Sequence, residues 1–324
     1  MQSDRRKALV QAAKLYYYGH MTQEEIAQMM GISRSKVSRL LTDAEQRNIV
    51  KITINDPYLN LEETGATIKK MYGLRDVIVV PSGSNSDASK KNVGEAATEY
   101  LQEKLEERSR IGISWGTTLL SFANAFKVPR PYPKACVVQL TGGMYIPNMH
   151  IDGRDVARIL ADKLGCTLHA LQLPMFMHNP DLQELIMKEP DTKAHFDLFD
   201  KLDIAVVGVG TSNVKDSIVY KANYITAQEA RLIDSLGLCD ICGHQIDSEG
   251  REPVEAITSR LYGISLRSLK KIPLVIGLCA GKDKAASIKA AIRGGYIKAL
   301  VIDEIAAMTL LEDQSASESS EYAD

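Results

Sequence analysis

The chain has 324 residues, 45% of them hydrophobic and 25% charged, with 39 Lys and Arg against 41 Asp and Glu for a net charge of −2. This is a globular composition, and the length calls for a large domain with a small one, or for two medium ones. Near-neutrality excludes a uniformly basic coat, no apolar run nears the roughly 18 residues of a membrane span, and an odd set of five cysteines fits reduced thiols in the cytoplasm. The opening MQSDRRKALVQ has basic residues but neither an apolar stretch nor a small-residue cleavage site behind them, so no signal peptide is expected.

Charge is unevenly spread. Residues 1–57 hold nine Lys and Arg against six Asp and Glu, a balance of +3 that leaves −5 for the remainder. A basic head on an acidic body is the pattern expected when only the head meets a polyanion. Residues 4–18 place Leu9, Ala12, Ala13 and Tyr16 on one helical face. Thr22 and Glu25 form a capping box that opens a short helix with Ile26, Met29 and Met30 apolar, and Gly31 closes it. Ser33 caps the next helix, SRSKVSRLLTDAEQRN, with Val37, Leu40, Leu41 and Ala44 inward. IVKITIND then reads as an alternating strand, and Pro57 ends the unit.

A short helix, a Gly-containing turn and a second helix opening on Ser, Arg and Lys make a helix-turn-helix, with Ala27 small where the helices cross. The candidate contacts to operator double-stranded DNA are Thr22, Gln23, Ser33, Arg34, Ser35, Lys36, Ser38 and Arg39. Phosphate contacts should dominate affinity, with Arg34 or Lys36 reading base edges. The run Tyr16, Tyr17, Tyr18 is expected to pack helices near a dimer partner. One head reads only a few base pairs, so a symmetric homo-oligomer on a pseudo-palindromic operator is expected.

Beyond the head, apolar runs of strand length recur at 76–81, 110–116, 135–143, 166–174, 202–210, 272–281 and 296–303, separated by amphipathic stretches. That alternation predicts an α/β fold, a doubly wound, mostly parallel sheet covered on both faces, over residues 58–312. Residues 61–71 read as a linker helix between the domains, and 313–324 as a disordered acidic tail. Ligands of such sheets lie at the carboxyl ends of the strands. Three runs end suitably: Gly116, Thr117 and Thr118; Thr141, Gly142 and Gly143; and Gly208, Gly210 and Thr211. Glycines and hydroxyls gathered there point to a phosphate-bearing ligand, while the absence of a P-loop or dinucleotide fingerprint argues against nucleoside triphosphates and NAD.

The segments YYYGHMTQEEIAQMMGISRSKVSRLL, GISWGTTL, VVQLTGG, DIAVVGVG, LCDICGHQIDSEG and AGKDKAASIKAAIRGGYIKALVIDE resemble, in order and over about residues 5–310, the SorC/DeoR-type bacterial transcriptional regulators. The resemblance implies a helix-turn-helix head and a sugar-phosphate-binding domain related in fold to glucosamine-6-phosphate deaminases and ribose-phosphate isomerases. It also implies a tetramer whose grip on operator DNA is altered by a phosphorylated sugar from the carbohydrate pathway it controls, with activator or repressor left open. Carried over residue by residue, it puts the phosphate cradle on Gly116, Thr117 and Thr118 and the adjoining loop on Thr141, Gly142 and Gly143. Asp240 becomes the acidic ligand of a sugar hydroxyl, Lys221 a basic residue near the pocket, and Lys282, with Lys284 as alternative, the lysine after the late strand. Relatives often carry Lys or Arg where Thr141 stands, so a bisphosphate or an imine at that position is not expected.

Other constellations are weaker. Cys239, Cys242 and His244 lack a fourth ligand at plausible spacing, and the remaining histidines are not paired, so neither a metal nor any other cofactor is expected. His150, Asp152 and Arg154 follow LTGG and are candidates for sugar hydroxyls. The alternative is a sugar-phosphate isomerase or deaminase with an appended DNA-binding head. That chemistry needs a positioned acid–base pair, and Asp240 has no convincing His or Glu partner in the sequence.

Overall fold

The computed structural model describes residues 2–47, 49–50, 60–144, 152–179, 182–211 and 218–321. The chain divides into two compact units, Met1–Pro57 with Gly83–Ala88, and Tyr58–Ser82 with Ser89–Asp324.

In the first unit, α1 (Gln2–Ala13) runs into a π-helical turn, Lys14–Tyr18, followed by α2 (Gln23–Met30) and α3 (Arg34–Gln46). Thr22 and Glu25 cap α2 reciprocally, and the Lys36 amide donates to Ser33 Oγ at 3.3 Å to start α3. Leu9, Ala12, Ile26, Ala27, Val37, Leu41 and Ala44 are buried between these helices. The single helix with Tyr16 inward needs correction. The π turn takes up about one extra residue, which leaves Tyr16 exposed and brings Tyr17 to α3, where its hydroxyl donates to Glu45 Oε1 at 2.6 Å. The strand expected over 49–56 falls mainly outside the described residues.

The second unit opens with α4 (Leu61–Tyr72), β1 (Asp76–Val80), α5 (Ser86–Lys104), β2 (Arg110–Ile113), α6 (Thr117–Ala125), β3 (Cys136–Gln139), α7 (Gly153–Leu164) and β4 (Thr167–His169). It continues through α8 (Leu182–Ile186), α9 (Pro190–Phe199), β5 (Ile204–Gly210), α10 (Ile218–Lys221), α11 (Ala227–Ser235), β6 (Cys239–Ile241) and β7 (His244–Ile246). The last elements are α12 (Glu255–Thr258), α13 (Leu266–Lys271), β8 (Leu274–Cys279), α14 (Ala285–Arg293), β9 (Ala299–Asp303) and α15 (Glu304–Glu321). The seven apolar runs become seven parallel strands in the order β1-β9-β8-β5-β2-β3-β4, and β6 and β7 form an antiparallel hairpin on the end of β5.

Successive residues of β5 feed opposite faces, as strand geometry requires. Ile204 and Val206 enter the core under α5, α6 and α7, while Ala205, Val207 and Val209 enter the core under α14 and α15. Helix α4 belongs to the second core, with Ile68 fully buried. It is therefore part of this unit and not the expected free linker, because its apolar face covers the sheet. The segment expected as a disordered tail is helical through Glu321, since nothing from 313 onward, neither Gly nor Pro, stops α15. Among the described residues no helix is long and apolar enough to cross a membrane.

The buried Asp303, at the end of β9, ties strand ends together. Its carboxylate accepts from the Gly281 amide at 2.9 Å, the Ser82 hydroxyl at 3.2 Å and the Ala306 amide at 3.2 Å. Asp303→Ala should cost about 2–4 kcal/mol of stability by leaving enclosed donors unpaired, read from urea midpoints. A loss under about 0.5 kcal/mol would mean that these donors find water instead.

Candidate functional site

The head presents Thr22, Ser33, Arg34, Ser35, Lys36, Ser38 and Arg39 exposed and Gln23 half-buried, so one side of α3 and the cap of α2 form a continuous polar face. Arg34 Nε lies 3.6 Å from Glu24 Oε1 with both side chains about two-thirds exposed, a pair loose enough to exchange for phosphate or base.

The ligand end of the second unit follows from strand order. From β2 the chain steps outward through β3 and β4, then returns to β5 on the other side of β2 and steps the opposite way. In open sheets of this class the ligand position lies at such a reversal, here the carboxyl ends of β2 and β5. Gly116 stands there as the N-cap of α6, with φ of +123°, a backbone region that only glycine enters cheaply. Nothing lies within 4 Å of where its Cβ would be. The amides of Thr117 and Thr118 donate to no acceptor among the described residues, and both threonines are half-buried. Free amides at the positive end of a nine-residue helix suit an anion.

The second loop is built differently from the expectation. Gly142 donates its amide to the Tyr262 carbonyl at 2.8 Å and Gly143 to the Leu173 carbonyl at 2.7 Å, so neither amide is left for a ligand. A Cβ on Gly142 would stand 2.4 Å from the Pro174 carbonyl oxygen, and close backbone approach is what requires glycine there. Thr141 is fully buried. Asp152 is the N-cap of α7, its carboxylate accepting the Arg154 and Met144 amides at 3.3 Å each, and burial raises its pKa. It holds the loop ends together. His150 lies outside the described residues.

Gly208 and Gly210 lie within β5 and not after it. Gly210 pairs with Asp240 across the hairpin, and a Cβ on it would sit 3.0 Å from the Asp240 Cβ. Asp240 accepts from Gln245 Nε2 at 2.9 Å and from the Gly243 amide at 3.4 Å, and burial pushes it up to about 6 against the nearby charges of His244 and Lys284. Lys284, not the exposed Lys282, is the lysine in the field of Asp240. Lys221 is exposed on α10 and pairs with none of the described residues. Sequence reasoning missed Gln245 and Gly281, whose signals were the polar residue inside a hairpin strand and the glycine after β8.

His244 is not free for proton transfer. Its Nδ1 lies 2.6 Å from Glu252 Oε1 and its Nε2 2.8 Å from the Ile264 carbonyl oxygen. One ring nitrogen is engaged by a carboxylate and the other by a backbone carbonyl, so the ring is held in place between two segments. Cys239 and Cys242 are buried, and burial pushes the Cys242 thiol up to about 12. No group of three potential metal ligands occurs among the described residues.

Residues 56–312 match Sugar-bind, a family of sugar-binding domains, and residues 11–47 match region 4 of sigma-70. The chain belongs to the sugar-binding SorC/DeoR-type regulators. It is 29% identical to the deoxyribonucleoside regulator of Bacillus subtilis (strain 168), over 97% of this chain and all of that one. It is 28% identical to the sorbitol operon regulator of Klebsiella pneumoniae, over 96% and 99% respectively. The crystal structure of full-length SorC from Klebsiella pneumoniae superposes with a TM-score of 0.74 at 26% identity, covering 94% of this chain and 98% of that one. The relatives are named transcriptional regulators and not enzymes. DNA binding by the head and sugar binding by the second unit are thus properties of the family.

Arg34→Ala or Lys36→Ala should weaken operator binding by about 1–3 kcal/mol and relax base preference, measured by gel shift against scrambled DNA. Unchanged affinity in both would move the reading residues elsewhere on α3. For Asp240, the folded state holds the proton more tightly than the unfolded chain does. Its contribution to stability is therefore complete below about pH 4 and lost as pH rises through about 6. Asp240→Asn should flatten the stability profile across that window and add roughly 1–3 kcal/mol at neutral pH, read from urea midpoints. An unaltered profile would mean that water reaches the carboxylate.

Proposed function

We propose that this chain represses a carbohydrate catabolic operon and that a phosphorylated sugar, bound at the reversal point of the sheet, changes its affinity for the operator. The observation that carries the reading is the start of α6, where Gly116 in its left-handed-side conformation leaves the Thr117 and Thr118 amides without acceptors among the described residues. A dianion there meets the helix dipole and two donors without needing a cation. Asp240, in the middle of β6 with its carboxylate enclosed, is suited to a sugar hydroxyl, and the neighbouring Lys284 balances its charge. The names of the relatives point toward a deoxyribonucleoside-derived sugar or a hexitol as the chemical neighbourhood of the effector. A homo-tetramer on a pseudo-palindromic operator fits the short reading length of a single α3.

Operator binding measured by fluorescence anisotropy tests the proposal. A phosphosugar should change the wild-type affinity at least tenfold, its unphosphorylated form should not, and Thr118→Asp should keep DNA binding while losing the response. Equal responses to both forms would refute the phosphate site.

A further inference from the structure

Three buried side-chain polar atoms of the second unit lack a hydrogen-bond partner among the described residues: the Trp115 indole nitrogen, the Thr141 hydroxyl and the Tyr262 phenol. Native structures leave few such groups unpaired, because each forfeits its hydration for nothing. Thr141 and Tyr262 lie on adjoining segments, joined by the bridge of Thr141 to Gly263 and by the Gly142 amide on the Tyr262 carbonyl. Trp115 stands immediately before Gly116 and so next in the chain to the open amides of α6. Its carbonyl oxygen lies 3.7 Å from where a Cβ on Gly208 would be, at the reversal between β2 and β5.

The Trp115 ring joins neither large core. It packs against a third, smaller cluster that includes Met144, Met175, Ile225 and Leu261, from segments that follow β3, β4, β5 and α12. One residue thus belongs both to the turn that opens α6 and to this separate cluster. An indole N–H can only donate, so what it lacks is an acceptor.

We propose that Trp115 senses the effector: its indole N–H donates to an oxygen of the sugar, and making that bond shifts the small cluster relative to the start of α6. The inference rests on the phosphosugar reading above. The nitrogen is closed off from solvent in the present arrangement, so a ligand reaches it only when the cluster moves. Binding therefore favours a second arrangement over the first, which is the differential affinity an effector needs to move an equilibrium.

Trp115 is the chain's one tryptophan, so its emission reports this residue alone. The full-length protein would be titrated with pentose 5-phosphates, hexose 6-phosphates and hexitol 6-phosphates, deoxyribose 5-phosphate and sorbitol 6-phosphate among them, by calorimetry and by fluorescence together. The expected result is an emission shift that tracks calorimetric saturation. Trp115→Phe should bind the same sugar phosphate about tenfold more weakly while binding inorganic phosphate as the wild type does. Wild-type affinity for the sugar phosphate in Trp115→Phe, with binding lost in Thr118→Asp, would overturn the sensing role and leave the phosphate site standing. Should the variant fail to fold, wild-type emission that stays constant through calorimetric saturation overturns it equally. Absence of binding by every sugar phosphate would overturn the site and this inference with it.

Discussion

Strands β2 and β5 lie side by side and parallel, yet the chain leaves them in opposite directions, and the ligand end of the molecule depends on that reversal. At the reversal, the Ser114 amide donates to the Val206 carbonyl and continues the ladder one residue beyond β2, and the chain then turns at Gly116 into α6. Because β2 and β5 are both buried and parallel, their carboxyl ends are held in register by backbone bonds, and α6 starts within a few residues of the end of β2. A rigid frame thus presents a few unsatisfied donors, which is how sites on this class of sheet acquire precision.

Around that frame the supporting groups are satisfied by one another. Asp303 holds the loop after β8, Asp152 holds the loop after β3, and the His244 ring joins β7 to the segments of Glu252 and Ile264. Burial works against charge on Glu252, but the His244 hydrogen bond wins and keeps it below the ordinary carboxylate range. His244 also lies near Asp240, where with Lys284 it opposes the upward push of burial. Burial still wins at Asp240, although the Gln245 side chain and the Gly243 amide donate to its carboxylate.

Much of this was legible in the sequence. Every strand of the parallel sheet stood out as an apolar run, because burial on both faces removes the polar alternation that would blur it. Both caps of the helix-turn-helix were readable, since Thr22 with Glu25 and Ser33 act on amides three residues away. What escaped depended on contacts distant in the chain. The hairpin of β6 and β7 has strands of three residues each, too short for periodicity, and its Cys-x-x-Cys drew attention away from the turn at Cys242 and Gly243. Gly142 and Gly143 looked like anion donors until Tyr262 and Leu173 took their amides. Tyr17 replaced Tyr16 on the inner face because a π turn cannot be told from an α turn in five residues of sequence.

Hydrogen exchange of the full-length protein, with and without a bound phosphosugar, tests the central claim most directly. Amides without protein acceptors at the start of α6 should exchange freely in the unliganded state and become protected on binding, with the largest gain at Thr117 and Thr118. Protection that instead centres on Gly142 and Gly143, or that leaves 116–118 unchanged at saturation, would contradict the placement of the phosphate at the sheet reversal.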